Sequence, residues 1–242
     1  WVKRFYIPWV LRGIDTFLFV GKANKAFYEY YGVPEKKLKP AHHCINTQLF
    51  RESRTIPSND ESKGVFRLGF VGKLIDKKNP LLLVEAIGKS KFKDKIVLKI
   101  IGDGPLRSSI QAHAKNLDVQ IDFLGFMNQK QMAAEAYGHF DCLLLPSKSE
   151  TWGLVVNEAM TKGLPCIVSD RVGCHLDLVD IDETGWVFPA EDNLALTHTM
   201  DLAFERFKSE DWDRLQDATL KKIANYSLET TVKQILESIE HA

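Results

Sequence analysis

The sequence contains little that would indicate a disulfide framework or a metal site. It has only four cysteines in 242 residues, and no two of them show the C-x-x-C spacing of a zinc or redox site. Cys142 and Cys166 fall inside predicted buried strands, where a free thiol acts as a small apolar side chain. Asp180-Ile-Asp182 matches a D-x-D metal motif, but it lies in a charged turn. The composition therefore favours a reducing, cytoplasmic compartment and predicts no metal.

Charge bias and long apolar runs are also lacking. Basic and acidic residues are equal in number at 32 each, so the net charge gives no electrostatic reason to expect nucleic acid as a partner. No apolar run approaches the roughly 18 residues that a membrane-spanning helix needs, and no signal peptide is recognisable. Because residue 1 is Trp rather than Met, we expect the chain to begin inside a longer protein.

Residues 1–12 combine aromatic and basic side chains. We interpret this stretch as a helix, broken near Pro8, that covers another domain. A peripheral contact with a membrane surface is the alternative, because aromatic and basic side chains also suit a lipid interface. The predicted location is therefore cytoplasmic, with a peripheral position at the membrane left open.

Short apolar runs alternate with helical patterns through most of the chain. The expected strands are residues 15–20, 66–71, 96–101, 119–124, 140–145, 166–169 and 185–189. The expected helices are residues 22–31, 80–89, 106–116, 129–137, 152–162, 193–208, 211–226 and 228–241. Apolar strands that alternate with helices predict an α/β fold with a doubly wound, Rossmann-like parallel sheet. Such a sheet binds its ligand at the carboxyl ends of the strands.

The most informative stretch follows the strand at 140–145 and contains two glutamates, Glu150 and Glu158, eight positions apart. A helical rise of about 1.5 Å per residue separates them by about 12 Å. This span is comparable to the distance from the sugar to the ribose in a nucleotide diphosphate sugar. The free backbone N–H groups of the helix start lie between them and favour an anion. One element can thus bind hydroxyls at both ends and phosphate in the middle.

With its surroundings, P-S-x-x-E-T-W-G-L-V-V-N-E-A-M-x-x-G-L-P, this stretch resembles the E-x7-E segment of the family 4 glycosyltransferases. These are retaining enzymes with the two-domain GT-B architecture. Three earlier loops resemble the family's motifs in the same order. They are Gly72–Asn79 for G-R-L-x-x-x-K-G, Gly102–Pro105 for G-D-G-P, and Gly125–Met127 for F-x-G.

The resemblance implies the donor-binding half of a retaining, metal-independent glycosyltransferase without a cofactor. Glu150 would contact the sugar of a UDP- or GDP-linked donor, and Lys73 and Lys78 would stabilise the departing diphosphate. Lysine in place of the usual arginine at position 73 keeps the charge but gives up planar, bidentate recognition. The other expected donor-binding residues are Gly72, Gly102, Gly104, Gly125, Phe126, Met127, Thr151, Trp152, Gly153, Leu154 and Glu158, the last for the ribose.

The resemblance also implies a division of the chain. Residues 1–46 would be a remnant of an N-terminal domain and its crossover, 47–65 a linker or surface loop, 66–226 the donor-binding domain, and 227–242 a C-terminal helix. A glycan or lipid-linked acceptor would meet the missing N-terminal domain, without which we expect poor transfer. Three alternatives stay open: a non-hydrolysing sugar-nucleotide epimerase, a phosphorylase-like enzyme, whose cofactor lysine setting we do not find, and a catalytically incomplete binding or scaffold module.

Overall fold

A small α/β unit opens the structure. In the computed structural model, which describes residues 2–51 and 64–240, this unit consists of α1 (Val2–Leu11), β1 (Phe17–Phe19), α2 (Lys22–Tyr30) and β2 (Leu38–Pro40). The two strands pair in parallel, and the buried residues Phe17, Val33 and Leu38 hold the unit together. Helix α1 continues through Pro8, so the break predicted there is wrong.

The segment predicted as a linker at 47–65 begins with a helix instead. Helix α3 (Thr47–Arg51) places Phe50, only 2% exposed, in the core of the main domain. The residues up to 63 lie outside the described ranges. The start of this segment is therefore part of the packed protein and not a surface loop, because one aromatic side chain in a polar stretch is enough to anchor it.

A six-stranded parallel sheet forms the main domain. Its strands are β3 (Phe66–Val71), β4 (Ile96–Ile101), β5 (Ile121–Gly125), β6 (Cys142–Leu145), β7 (Cys166–Ser169) and β8 (Gly185–Phe188). They lie in the order β5-β4-β3-β6-β7-β8. The chain first moves outward from β3 in one direction and then returns to β6 to move in the other. The doubly wound, Rossmann-like prediction is confirmed, and the order reverses between β3 and β6.

Helices cover both faces of this sheet. They are α4 (Pro80–Lys89), α5 (Arg107–Leu117), α6 (Gln129–Ala134), α7 (Leu154–Thr161), α8 (His175–Leu178), α9 (Asn193–Phe207) and α10 (Trp212–Ile223). Strand β6 shows why the sequence reads as a continuous apolar run: Cys142 and Leu144 enter the core on one face, and Leu143 and Leu145 the core on the other. Both faces of the strand are buried, so every position of the strand is apolar.

Several predicted boundaries shift for local reasons. The helix expected at 152–162 begins at Leu154, because Gly153 adopts a left-handed conformation with φ of 105°. The helix expected at 129–137 ends early and is followed by a separate short 3-10 helix (Ala136–His139). The last helix, α11 (Leu228–Glu240), returns across the molecule to contact β2. Among the described helices, none is both long and apolar enough to cross a lipid bilayer.

Candidate active site

Two loops meet at the point where the strand order reverses. One follows β3 and spans residues 72–79, and the other follows β6 and spans residues 146–153. The backbone N–H of Lys148 donates to the carbonyl of Lys77 at 2.9 Å, and the Lys148 Nζ lies 2.7 Å from a carboxylate oxygen of Asp76. The two loops therefore form one surface at the carboxyl edge of the sheet, which is where a doubly wound fold binds its ligand.

The predicted catalytic pair Lys78 and Glu150 is in direct contact across these loops. The Lys78 ammonium donates to Glu150 Oε2, and the two side chains are only 21% and 20% exposed. The backbone of Glu150 is fixed as well: its N–H donates to the carbonyl of Arg171 at 3.0 Å, and its carbonyl accepts from Gly173 at 2.9 Å. The carboxylate thus neutralises the lysine in a partly buried and well-supported position.

A cavity of about 430 Å³ opens between the ends of β3, β4 and β5 and helix α7, and its lining includes Gly72 and Lys73 of the loop that carries Lys78. Its wall is mainly apolar and includes Phe126, Met127, Met132 and Val155. Three charged side chains also line it: Lys73, Asp103 and Glu158. An apolar pocket with a few convergent polar groups is the usual form of a small-molecule site.

Glu158 is held inside this cavity by a residue that the sequence did not single out. The hydroxyl of Tyr137 donates to Glu158 Oε2. Burial raises the pKa of the Glu158 carboxyl, and the hydrogen bond from Tyr137 partly opposes that rise. Tyr137 appeared in the sequence only as the end of a predicted helix, because a pairing across 21 positions leaves no local pattern.

Two of the predicted glycines allow neighbouring loops to approach. A Cβ atom on Gly102 would lie 2.0 Å from the carbonyl oxygen of Gly72, and one on Gly104 would lie 2.6 Å from that of Leu74. The loops are joined there by a 2.9 Å hydrogen bond from the Leu74 N–H to the Asp103 carbonyl. Gly72 and Gly102 line the cavity. Gly104 supports the loop behind it, and its contact with a donor stays a prediction.

In the third motif, at the end of β5, Phe126 lines the cavity and Gly125 does not. Gly125 accepts a 2.8 Å hydrogen bond from the N–H of Gly102, which ties the third loop to the second. Phe126 and Met127 then enter the cavity wall, and Phe126 is 79% exposed. A flat, exposed ring in an apolar wall is suited to stacking against a planar ligand.

The side chain of Trp152 does not line the cavity, and the predicted contact of this residue with the donor stays a prediction. The indole is 5% exposed, and its N–H donates to the Asn157 side chain at 2.8 Å. The ring lies 5.6 Å from that of His43 and packs so closely on Gly21 that a Cβ atom there would lie 2.3 Å from it. Trp152 therefore faces the N-terminal unit and the crossover.

The backbone around Trp152 remains at the surface of the site. Thr151 is exposed, and Leu154, 41% exposed, begins helix α7 after the left-handed Gly153. The free N–H groups at this helix start favour an anion. Their contact with phosphate stays a prediction.

The acidic pair at 180 and 182 has other partners. Asp180 lies 2.7 Å from the Lys222 ammonium, and Asp182 accepts from the Trp186 indole at 2.9 Å. Within residues 2–51 and 64–240, no three His, Cys, Asp or Glu side chains come together as metal ligands would.

Residues 52–217, more than half of the chain, match the family model described as glycosyl transferases group 1. The chain belongs to this family. An uncharacterized glycosyltransferase of Methanocaldococcus jannaschii is 30% identical over 172 residues, which cover 66% of this chain and 43% of the relative. The family and this relative's name do not favour the epimerase alternative.

Two solved structures extend the likeness of this group 1 chain to the fold. The apo form of the lipopolysaccharide outer core galactosyltransferase WaaB gives a TM-score of 0.78 at 19% identity, over 93% of this chain and 62% of that one. HepE of Anabaena in complex with UDP gives 0.77 at 17% identity, over 94% and 64%. The fold is thus that of one half of a GT-B glycosyltransferase. The chain spans less than half of its curated relative.

Proposed function

We propose that this chain supplies the donor-binding domain of a retaining, metal-independent glycosyltransferase. The enzyme would move a sugar from a UDP- or GDP-linked donor to a glycan or lipid-linked acceptor. The observation that carries the proposal is the position of the cavity: its apolar wall and Glu158 lie at the same edge of the sheet as the Lys78–Glu150 pair, where the strand order of this group 1 fold reverses. Base, ribose, diphosphate and sugar each have a group of suitable chemistry along this edge.

The cavity is proposed to hold the nucleoside. The exposed ring of Phe126, with Met127 beside it, offers an apolar surface for a flat base. The Glu158 carboxylate, held from behind by Tyr137, offers an oxygen acceptor for ribose hydroxyls. UDP in the structure of HepE supports a nucleoside diphosphate as the ligand class, although the choice between UDP and GDP stays part of the proposal.

The diphosphate and sugar would extend from the cavity toward the Lys78–Glu150 pair. Negative charge grows on the diphosphate as the glycosidic bond breaks, and Lys73 and Lys78 would stabilise it together with the N–H groups at the start of α7. Glu150 would accept from the sugar hydroxyls. Two lysine ammonium groups supply the charge compensation that a divalent metal supplies elsewhere.

The acceptor wall is proposed to lie outside this chain. Transfer needs two walls that exclude water and align the acceptor with the donor. The relative from Methanocaldococcus jannaschii is more than twice as long as the region matched, and the small unit at residues 2–40 would be the end of the missing domain. Tyr6 and Trp9 are exposed on α1. This exposure supports the proposal that α1 is covered by that domain or by a membrane. We therefore propose a cytoplasmic enzyme whose chain 1–242 binds donor but transfers slowly alone.

Isothermal titration with UDP, GDP, UDP-glucose and GDP-mannose tests the proposal. We expect binding of one nucleotide class, and we expect Lys78→Met to weaken it about tenfold through loss of a charge-assisted hydrogen bond. Lys91→Met is the matched control, because Lys91 forms an exposed ion pair with Glu205 elsewhere on the molecule. If the folded protein binds none of the four ligands, the donor-domain assignment is wrong.

A further inference from the structure

The buried hydroxyl of Tyr137 contacts a carboxylate that lines the cavity, although Tyr137 itself is not part of the cavity wall. Tyr137 belongs to the short 3-10 helix before β6 and is 1% exposed, yet its hydroxyl reaches Glu158 on helix α7. The ring is fixed by two aromatic neighbours, Phe140 at a centroid distance of 6.1 Å and Phe50 at 6.2 Å. A rigid donor is thus aimed at one oxygen of a carboxylate that lines the cavity.

This contact fixes the orientation of the Glu158 carboxylate in the cavity. One of its oxygens, Oε2, is occupied by the phenol, so the orientation of the whole carboxylate is set before any ligand arrives. A glutamate without such a partner has several rotamers and loses that freedom on binding. A support of this kind is what makes a binding group selective, because a hydroxyl is then recognised at one position.

The contact also affects the charge of Glu158. Burial favours the neutral carboxylic acid, and donation from Tyr137 favours the carboxylate. Lys73 and Asp103 are the other charged residues that line the same cavity. A carboxylate accepts hydrogen bonds at both oxygens, whereas the acid must also donate one. The phenol thus partly offsets the effect of burial and favours the form of Glu158 that accepts from hydroxyls.

We propose that Tyr137 is a positioning residue that holds Glu158 for the ribose hydroxyls, and that the pair makes the site select ribonucleotides over deoxyribonucleotides. This inference rests on the proposed function, which assigns the ribose to Glu158. Tyr137 itself touches no ligand. Removal of the Tyr137 hydroxyl should therefore abolish the preference for ribonucleotides and leave the remaining contacts with the nucleotide intact.

The test is titration of the 242-residue chain and of Tyr137→Phe with UDP and GDP and with their 2′-deoxy and 3′-deoxy forms. We expect the unchanged chain to bind its ribonucleotide about tenfold more tightly than at least one deoxy form. In Tyr137→Phe the ribonucleotide should lose most of that advantage, while affinity for that deoxy form changes less than about twofold. Tyr137→Met, which also lacks the hydroxyl, should give the same pattern.

Tyr226→Phe is the matched control. Tyr226 is also buried, and its hydroxyl donates at 3.3 Å to the backbone carbonyl of Asp177 rather than to the cavity. It should keep the full preference for ribose. An undiminished preference in Tyr137→Phe, or an equal loss for ribo and deoxy ligands, would overturn the inference while leaving the proposed function intact. No binding of any nucleotide to the unchanged chain would overturn both.

Discussion

Replacing Glu150 with Gln should tighten the binding of a nucleoside diphosphate that carries no sugar. The carboxylate occupies the Lys78 ammonium in the ligand-free protein, so a diphosphate must share that lysine with a competing anion. Gln has the same shape and keeps an oxygen acceptor, but it removes the negative charge. The substitution therefore weakens the competition for the lysine and removes the repulsion between the residue-150 carboxylate and the diphosphate.

The magnitude follows from the burial of the pair. Two unit charges about 4 Å apart interact by about 4 kcal/mol at the effective dielectric constant of a protein surface, about 20. The side chains are only 21% and 20% exposed, so water screens this attraction in part, and desolvation offsets much of the rest. A net competition of about 1 kcal/mol remains, which corresponds to about fivefold tighter binding of UDP or GDP.

Titration of Glu150→Gln at low salt with UDP, UDP-glucose and the guanine counterparts measures this effect. The sugar nucleotide should gain less than the bare diphosphate, because the proposed contact of Glu150 with the sugar is weakened. Glu205→Gln, which removes the exposed partner of Lys91, is the control and should change nothing. The reasoning is refuted if Glu150→Gln weakens UDP and GDP binding as much as Lys78→Met does.

Three further outcomes test the site and the core. Burial raises the pKa of Glu158, so nucleotide affinity should fall as the pH drops through that raised value. Titrations at successively lower pH, starting from neutral, should show the fall, and Glu158→Gln should not show it. Gly173→Ala, whose Cβ would lie 2.0 Å from a backbone oxygen, should cost about 2–3 kcal/mol in urea unfolding, against less than about 0.5 for the unhindered Gly13→Ala. Asp141→Asn should cost about 2–3 kcal/mol in the same assay, because the nearly buried carboxylate pairs with Arg67 through both oxygens.

The sheet could be predicted because its strands are buried on both faces. A segment such as Cys142–Leu145 has one environment throughout, so its composition alone identifies it. The loops at the strand ends could be placed for the same reason: parallel strands bring them to one edge wherever they lie in the chain. The contact of Lys78 with Glu150 spans 72 positions, yet it follows from this topology.

Pairings within the core could not be predicted in this way. Phe50 stands in a polar stretch, and Tyr137 ends an ordinary helical pattern. Neither position shows which distant group it meets, because packing partners depend on the angles at which helices lie on the sheet. The sequence therefore predicted Glu158 as a site residue but did not predict that Tyr137 supports it.

Trp152 shows how the donor loop and the N-terminal unit depend on each other. It follows Glu150 by two positions, but its indole packs on Gly21 at the start of α2. Next to it, the Asp177 carboxylate accepts from the N–H of Lys22 at 3.0 Å, and the Lys22 ammonium donates to the carbonyl of Leu176 at 2.8 Å. Any rotation of the N-terminal unit must therefore move or break contacts two residues from the predicted sugar-binding carboxylate.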